Sequence, residues 1–407
     1  MAEQGALRRV LSLPWLVAYG VGVTVGAGIF ALIAEIVGVA GDHAAYAFLA
    51  AGVVAAVTAY AYALLARAYP HAAGAAFFVR KGLGKPAGLL VGYGVVATAI
   101  ASSAVIALAF SRHVESFSGF PQQATLIVAL AGMAAVALAG VRESIGFAAI
   151  VTALEVGTLL VVIVVGLPLL GEADAAGRVL LPPTDGSAVT AVLAGAFVAF
   201  FAFISFEDIV NMAEETVEAQ KVIPQAILLT LIITLLIYGT LAAVAAAYPD
   251  RVAFQDSEAP LAELFAGTTG LSGTPIAVMA ALAMVNGILV QIIMASRLLY
   301  GMAHEDMAPA VFARLLPRRK TPVVGILVVA AIILGLALAV PLLSLAELTS
   351  FIVLAVFTMV NVSLFLLGRK KGEAAELRAR RWWGLVGAAL SIALLAAQVA
   401  DQLGDWR

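Results

Sequence analysis

The sequence predicts an all-α integral membrane protein of about eleven transmembrane helices, and three observations predict it. Hydrophobic residues fill 63% of 407 positions and charged residues only 12%, whereas a soluble domain carries about 25% charged residues. Eleven apolar runs reach the length of about 20 residues that a hydrocarbon layer of about 30 Å requires of a helix. The first and sixth of these runs carry interruptions, so two broken spans stand five spans apart.

The runs cover residues 14–34, 44–66, 86–111, 123–140, 144–170, 188–213, 222–247, 275–302, 322–342, 346–368 and 383–400. In the first, GVGVTVGAGIF occupies residues 20–30 and places Gly20, Gly22, Gly26 and Gly28 within nine positions. Each glycine costs a helix about 1 kcal/mol relative to alanine, and the bilayer offers no water to the backbone groups a break would free. The stretch therefore reads as a broken helix whose freed groups are satisfied by protein or ligand. Close packing through the Gly22/Gly26 GxxxG pair is the other reading. The apolar stretch runs past signal-peptide length with no small-residue cleavage site, so this segment is expected to be retained as the first span.

The second span carries Tyr60 and Tyr62 and leads into ARAYPHAAGAAFFVRKGLGKP, where Pro70 and Gly74 break regular structure. GLGKP lacks the spacing and the hydroxyl residue of a phosphate-binding loop, and His71 reads as a solvated loop histidine. Glu155 stands about 13 residues into the fifth span, about 20 Å deep at 1.5 Å per residue. No Lys or Arg stands at that depth in any span. An ionised Glu155 thus lacks a counter-charge and reads as a proton carrier or a cation ligand, the alternative being a protonated group with a structural hydrogen bond.

The sixth span, AVLAGAFVAFFAFISFEDIVNMAEETVEAQKVIP, turns from wholly apolar to acidic in its middle. A second break fits here. Ser205 would cap a half-helix starting near Phe206, and Glu207 and Asp208 would occupy its first turn, where the dipole favours carboxylates. Glu214, Glu215 and Glu218 read as a solvated end. The long segment from Tyr248 to Pro275 contains a short amphipathic stretch, APLAELFAG, and is expected to be a solvated loop rather than a lid. In the eighth span Asn286 and Gln291 lie at depth, as do Asn361 in the tenth and Ser102 and Ser103 in the third; each bonds a neighbouring helix or contributes a ligand.

Nineteen of the 23 Lys and Arg fall on one set of alternating loops, which places the N-terminus in the cytoplasm and the C-terminus outside under the positive-inside rule. The expected location is the cytoplasmic membrane, as a multi-pass protein in a lipid bilayer. Absence of cysteine rules out thiolate metal sites and a disulfide-linked accessory subunit. A net charge of −2 gives no nucleic-acid footprint. Nor is a clustered nucleophile, metal-ligand set or cofactor loop present at one depth, so an enzyme is not expected.

Because five is odd, breaks in spans one and six are opposed in direction. Spans one to five (about residues 10–170) and six to ten (about 185–368) are therefore candidates for inverted repeats within a single transmembrane domain, with the last helix (about 383–400) peripheral. Freed amides at Gly26, Ala27 and Gly28 suit a carboxylate, and freed carbonyls of the opposite halves suit an ammonium. An α-amino acid presents both groups, although an ion or a carboxylate alone would also fit.

At GVTVGAGIF, YPHAAGAAFF, FFAFISFEDIVNMAEET, KVIPQAI and ASRLLYGMAHEDMAPAVFARLLPRRKTP the chain resembles the amino acid-polyamine-organocation (APC) transporter superfamily, over about residues 10–370. The resemblance implies a LeuT-like five-plus-five inverted repeat working by alternating access as an amino acid permease. Carried over by position, it assigns the substrate carboxylate to Gly26, Ala27 and Gly28, the amino group to the carbonyls of Thr24, Phe201 and Ile204, and a gating or pocket-lining role to Phe203. Three departures stand out. Many relatives have Gly where this chain has Ser205, which brings a hydroxyl to the pocket. Some proton-coupled relatives have a span-five lysine in a stretch like TLIKV, where TALEV here supplies Glu155. Relatives commonly have twelve spans, and this chain has eleven. No cofactor is expected beyond a coupling H+ or Na+, for which Glu155 and Asn286 are the candidate ligands. Amino acid exchange, polyamine antiport, a channel and a non-transporting amino acid sensor remain alternatives to coupled uptake.

Overall fold

A computed structural model describes residues 11–69, 74–139, 145–212, 215–304, 307–316, 321–370 and 372–404. The readings made above for Pro70, His71 and Glu214 lie outside these residues. The first span is α1 (Leu13–Thr24) and α2 (Ala27–Ala40), separated by Val25 and Gly26. A 3-10 turn, Gly41–His43, leads to α3 (Ala44–Ala68), followed by the short α4 (Gly74–Leu83). Next come α5 (Lys85–Ser118), α6 (Gln122–Ala139), α7 (Ile145–Gly166) and the short α8 (Ala173–Val179). The sixth span starts with α9 (Gly186–Ala199) and continues through two 3-10 segments, Phe200–Phe203 and Phe206–Met212. α10 (Ala219–Ala247), α11 (Arg251–Asp256), α12 (Pro260–Thr269) and α13 (Thr274–His304) follow. The chain closes with α14 (Val323–Ala339), α15 (Leu342–Leu367), the short α16 (Ala375–Arg380) and α17 (Trp382–Gly404).

Nine helical runs among the described residues are long and apolar enough to cross a membrane, and Leu13–Thr24 and Val323–Ala339 are shorter apolar helices. One of the nine, Ala27–Ala68, contains both α2 and α3. With α1 completing the first span and α14 as the ninth, the eleven spans read from sequence are all accounted for. Large apolar side chains such as Leu90, Val128, Val164 and Leu236 are more than half exposed or nearly so, as a lipid-facing belt requires.

The near face is defined here as the side on which α1 begins, and the far face as the side on which α2 ends. The broken helices lie at the centre: α1 packs on α7, α10 and the 206–212 segment, and α2 packs on α9 and α13. Corresponding members of the two halves also pack on each other, α3 on α10, α5 on α13 and α6 on α14. The peripheral α17 lies on α15. Its close approach needs Gly384 and Gly387, where a Cβ would overlap the Asn361 backbone and side chain. Asn361 itself donates to Thr58 Oγ1 at 2.9 Å. It therefore ties α15 to α3, the structural reading of the two given above.

Both faces carry polar ties. On the far face Asp42 accepts from Arg178 at 3.0 Å and from Arg251, and Tyr46 donates to the Leu180 carbonyl at 2.7 Å. At the start of α9, the Ser187 hydroxyl and Ala188 N–H both donate to the Asp185 carboxylate, which holds that carboxyl below the usual carboxylate range. On the near face Arg67 pairs with Glu376 at 3.1 Å, and Tyr69 donates to Glu373. Here Leu11 and Thr216 form a parallel bridge, in which Leu11 N–H donates to Glu215 O at 3.0 Å and Val217 N–H to Leu11 O at 2.9 Å.

The segment after α10 differs from the solvated loop expected of it. It folds into α11 and α12, with Phe254, Leu261 and Leu264 buried. α12 packs against α2, α7 and α13, because the spacing of Leu261 and Leu264 puts an apolar stripe on one helix face.

Candidate substrate and coupling site

The first break takes two residues. The Val25 N–H still donates to Val21 O at 2.7 Å, and helical bonding then stops until Gly26 opens α2 as its N-cap. The amides of Gly26, Ala27 and Gly28 are thus among the four that an α-helix N-terminus leaves without an intrahelical acceptor. The glycines divide their work. A Cβ at Gly20 would overlap Thr230 Oγ1, and one at Gly22 would overlap Thr152 Oγ1, so these two allow α10 and α7 to approach α1 closely. At Gly26 the nearest atoms to a Cβ are carbonyls at the end of α1, Gly22 O at 3.6 Å and Val23 O at 3.7 Å. Both sequence readings of GVGVTVGAG therefore hold, packing for its first half and unwinding for its second.

The second break is built differently. After the 3-10 turn Phe200–Phe203, Ile204 is extended and Ser205 takes φ 87°. Asp208 N–H donates to Ser205 O at 3.1 Å, and Ile204 N–H donates to Phe201 O at 3.3 Å. The expected Ser205 side-chain cap is replaced by the reverse arrangement, in which Ser205 N–H donates to Glu207 Oε2 at 3.0 Å. A positive φ points the Ser205 amide along the chain toward Glu207, and the carboxylate takes the capping position. The half-helix expected from Phe206 is not α-helical either: residues 206–212 form a 3-10 segment that packs on α1 and α10.

The two breaks meet. A Cβ at Gly28 would stand 3.1 Å from the Phe201 ring and 3.7 Å from Ala202 Cα. Phe203 is buried with its ring 5.6 Å from Tyr238 and 6.3 Å from Phe48. On the other side of Ser205, Phe206 packs with Tyr62 and Phe357 at 5.9 and 5.4 Å. Aromatic clusters thus bracket the second break along the span.

Of the carbonyls that the resemblance assigns to an amino group, Thr24 O accepts from the Tyr238 hydroxyl at 2.8 Å and Phe201 O accepts from Ile204 N–H. Each carbonyl keeps a second lone pair. Tyr238 is the residue that sequence reading missed. A tyrosine within an apolar span needs a partner for its hydroxyl, and that need was the available signal.

Glu155 is 2% exposed, and its Oε1 has no hydrogen-bond partner. Thr152, one turn earlier on α7, touches α1 at Gly22; one turn on, Glu155 comes level with the first break and is an electrostatic neighbour of Tyr238. α13 meets the start of α2 beside Asn286. That residue is half-buried, and at the next residue, Gly287, a Cβ would stand 3.1 Å from Ala27 Cβ. Among the described residues no hydrogen bond joins Glu155 and Asn286. Gln291 Oε1 and Ser103 Oγ are buried without partners, while Ser102 donates to Ala99 O.

A cleft of about 70 Å³ opens on the far face, lined by Phe30, Ala34, Glu35, Arg112, Glu258 and Met284 among others. Phe30 is one turn of α2 from Gly26, so the cleft reaches toward the first break. His113 holds one of the lining residues from behind, with Nδ1 2.9 Å from Glu258 O and Nε2 2.8 Å from Ala277 O.

Comparison with known proteins agrees with this architecture. The amino acid permease family profile matches residues 11–402. An uncharacterized transporter of Mycobacterium tuberculosis is 33% identical over 375 residues, covering 91% of this chain and 83% of the relative. The vacuolar cationic amino acid transporter 4 of Arabidopsis thaliana is 28% identical over 385 residues, covering 89% of this chain and 63% of that protein. A low-affinity putrescine importer of Escherichia coli K12 is 27% identical over 375 residues, covering 88% and 80%. With its profile match, its all-helical membrane architecture and its two central broken helices, the chain belongs to the amino acid permease family of the APC superfamily and is a multi-pass membrane transporter.

Proposed function

We propose that this chain is a secondary active carrier that moves α-amino acids with cationic side chains across the cytoplasmic membrane, together with a proton carried on Glu155. The near face is then the cytoplasmic one, and transport proceeds by alternating opening of the two faces. The observation that carries the reading is the meeting of the two breaks at Gly28 and Phe201. In this reading the α2 amides hold the carboxylate and the carbonyls of Thr24, Phe201 and Ile204 hold the amino group, the pairing that a zwitterion requires, with Ser205 and Phe203 beside them. Glu207 and the buried Asp208 are two carboxyl groups directly beyond the second break, a setting that suits a side-chain cation. The names of the Arabidopsis and Escherichia coli relatives agree with cationic substrates. A diamine lacks the carboxylate for which the Gly26, Ala27 and Gly28 amides are suited, so putrescine is the weaker candidate.

The test is uptake of labelled arginine into proteoliposomes under an imposed proton gradient, with lysine and putrescine as competitors. Wild-type protein should accumulate arginine against its gradient. Glu155→Gln should still exchange arginine between equal pools but lose accumulation by at least tenfold. Unchanged uptake and pH dependence in Glu155→Gln would remove the proton role, and sodium-driven uptake would reassign the coupling. Failure of all three compounds to bind would overturn the substrate reading.

A further inference from the structure

Threonine hydroxyls inside membrane helices ordinarily return to a carbonyl of their own helix. In this protein Thr98, Thr158, Thr349 and Thr358 do so, donating to the carbonyl four residues earlier at 3.0, 2.8, 2.7 and 2.8 Å. Thr24, Thr230 and Thr234 do not. Their hydroxyls are buried without a partner, and all three side chains are at most 4% exposed. They share one seam. Thr230 faces α1 at Gly20, and two turns further along α10 Tyr238 reaches α1 at Thr24 O. Thr234 lies between these two contacts, on the same face of α10. At the upper end Glu155 enters from α7 with its unpartnered Oε1.

Spacing decides what such a row can do. Residues four apart on a helix are separated by about 6 Å along its axis, so Thr230 to Tyr238 spans about 12 Å. Oxygens around one cation lie within about 5 Å of each other, since each is about 2.5 Å from the ion. A row of 12 Å cannot close around a single ion. A gap of about 6 Å, however, is bridged by two O–H···O bonds of about 2.8 Å through one water. Hydroxyls both donate and accept, so each can pass a proton onward while receiving another.

We propose that Thr230, Thr234, Thr24 and Tyr238 form a hydroxyl and water relay that carries protons between the near-face half of the α1–α10 seam and Glu155. This rests on the proton role of Glu155 proposed above and adds its route. In each passage one proton enters beside Thr230, the bridging hydroxyls and waters exchange protons without net change, and the Glu155 carboxylate becomes a carboxylic acid. Gly20 belongs to the device, because any side chain there displaces the Thr230 hydroxyl. The ionisable groups on the elements packed around Glu155 are Tyr19 on α1, Lys221 and Tyr238 on α10, Glu263 on α12, and Arg297, Tyr300 and His304 on α13, with Glu207 and Asp208 on the 206–212 segment. Glu155 is the carboxyl group that α7 brings beside Tyr238, at the far end of the threonine row.

The test compares wild type, Thr230→Val/Thr234→Val and Thr230→Ser/Thr234→Ser in proteoliposomes containing a pH-sensitive dye. Arginine-driven proton movement and arginine counterflow, which needs no net proton transfer, are both read. The valine pair keeps shape and removes the hydroxyls, so it should slow proton movement at least tenfold and leave counterflow within twofold. The serine pair should restore it, and Thr358→Val, which alters a threonine bonded to its own helix, should change neither. Wild-type proton movement in the valine pair would overturn the relay while leaving Glu155 in place. Absence of arginine-driven proton movement in the wild type would overturn the coupling reading and the relay together. If the valine pair also loses counterflow, Thr234→Val alone decides, because it leaves the Thr230 contact with Gly20 intact.

Discussion

The two breaks do the same task by opposite means. In the first span the chain lets go of its helix where side chains are missing: Gly20 and Gly22 bring α1 against its neighbours, Gly28 admits the Phe201 ring, and Gly26 leaves the backbone open. In the sixth span a non-glycine residue, Ser205, is held at φ 87°, and a charged side chain, Glu207, takes the amide hydrogen bond that regular helix would have made. A break made by omission asks little of its surroundings. One made by a positive φ in a residue with a Cβ needs a partner that pins it.

The sharpest way to break this comparison is within the glycine cluster. Gly22→Val drives a side chain into Thr152 and should cost about 3 kcal/mol, the upper end of core overpacking, seen as a clear fall of the thermal midpoint in detergent. Gly26→Ala, with room for its Cβ, should leave the midpoint nearly unchanged and instead weaken substrate binding. Equal loss of stability in both would erase the division between packing and opening. A smaller effect is expected at the second break, where Glu207→Ala leaves the Ser205 amide unpaired and should cost about 1–3 kcal/mol. Glu207→Gln, which keeps an acceptor oxygen, should recover most of it. Smallest is Ser205→Gly. Removing the Cβ from a left-handed position gains about 1–2 kcal/mol, offset by up to about 1 kcal/mol from the freer unfolded chain. A midpoint raised by a degree or two, with a reduced penalty for Glu207→Ala in the Ser205→Gly background, would confirm that Glu207 exists to hold Ser205.

Much of this was legible in the sequence, and the reasons are physical. Hydrocarbon demands long apolar runs and punishes free backbone groups, so the spans and both breaks announce themselves through composition at Gly20–Gly28 and at the acidic onset after Phe206. The direction of the Ser205 hydrogen bond was not legible, because it follows from a torsion angle. Neither was the role of Tyr238, since its bond to Thr24 joins residues 214 positions apart. Thr230 and Thr234 look ordinary in a run of leucines and isoleucines. Only the absence of their usual return to the helix, beside Gly20, distinguishes them. α11 and α12 were misread because polar residues at the ends of that segment mask two short apolar stripes.

The parallel bridge between Leu11 and Thr216 has a kinetic meaning. It joins the residues just before α1 to those just after the second half of the sixth span, and both are buried. Each of its two main-chain hydrogen bonds is worth about 4–6 kcal/mol while the surroundings are dry, but only about 1 kcal/mol net once water competes for the same groups. The two broken helices are thus bolted at the near face for as long as that face excludes solvent. Under the proposed alternating opening, hydration has to arrive before separation, and the rate of near-face opening would follow how readily water reaches Leu11.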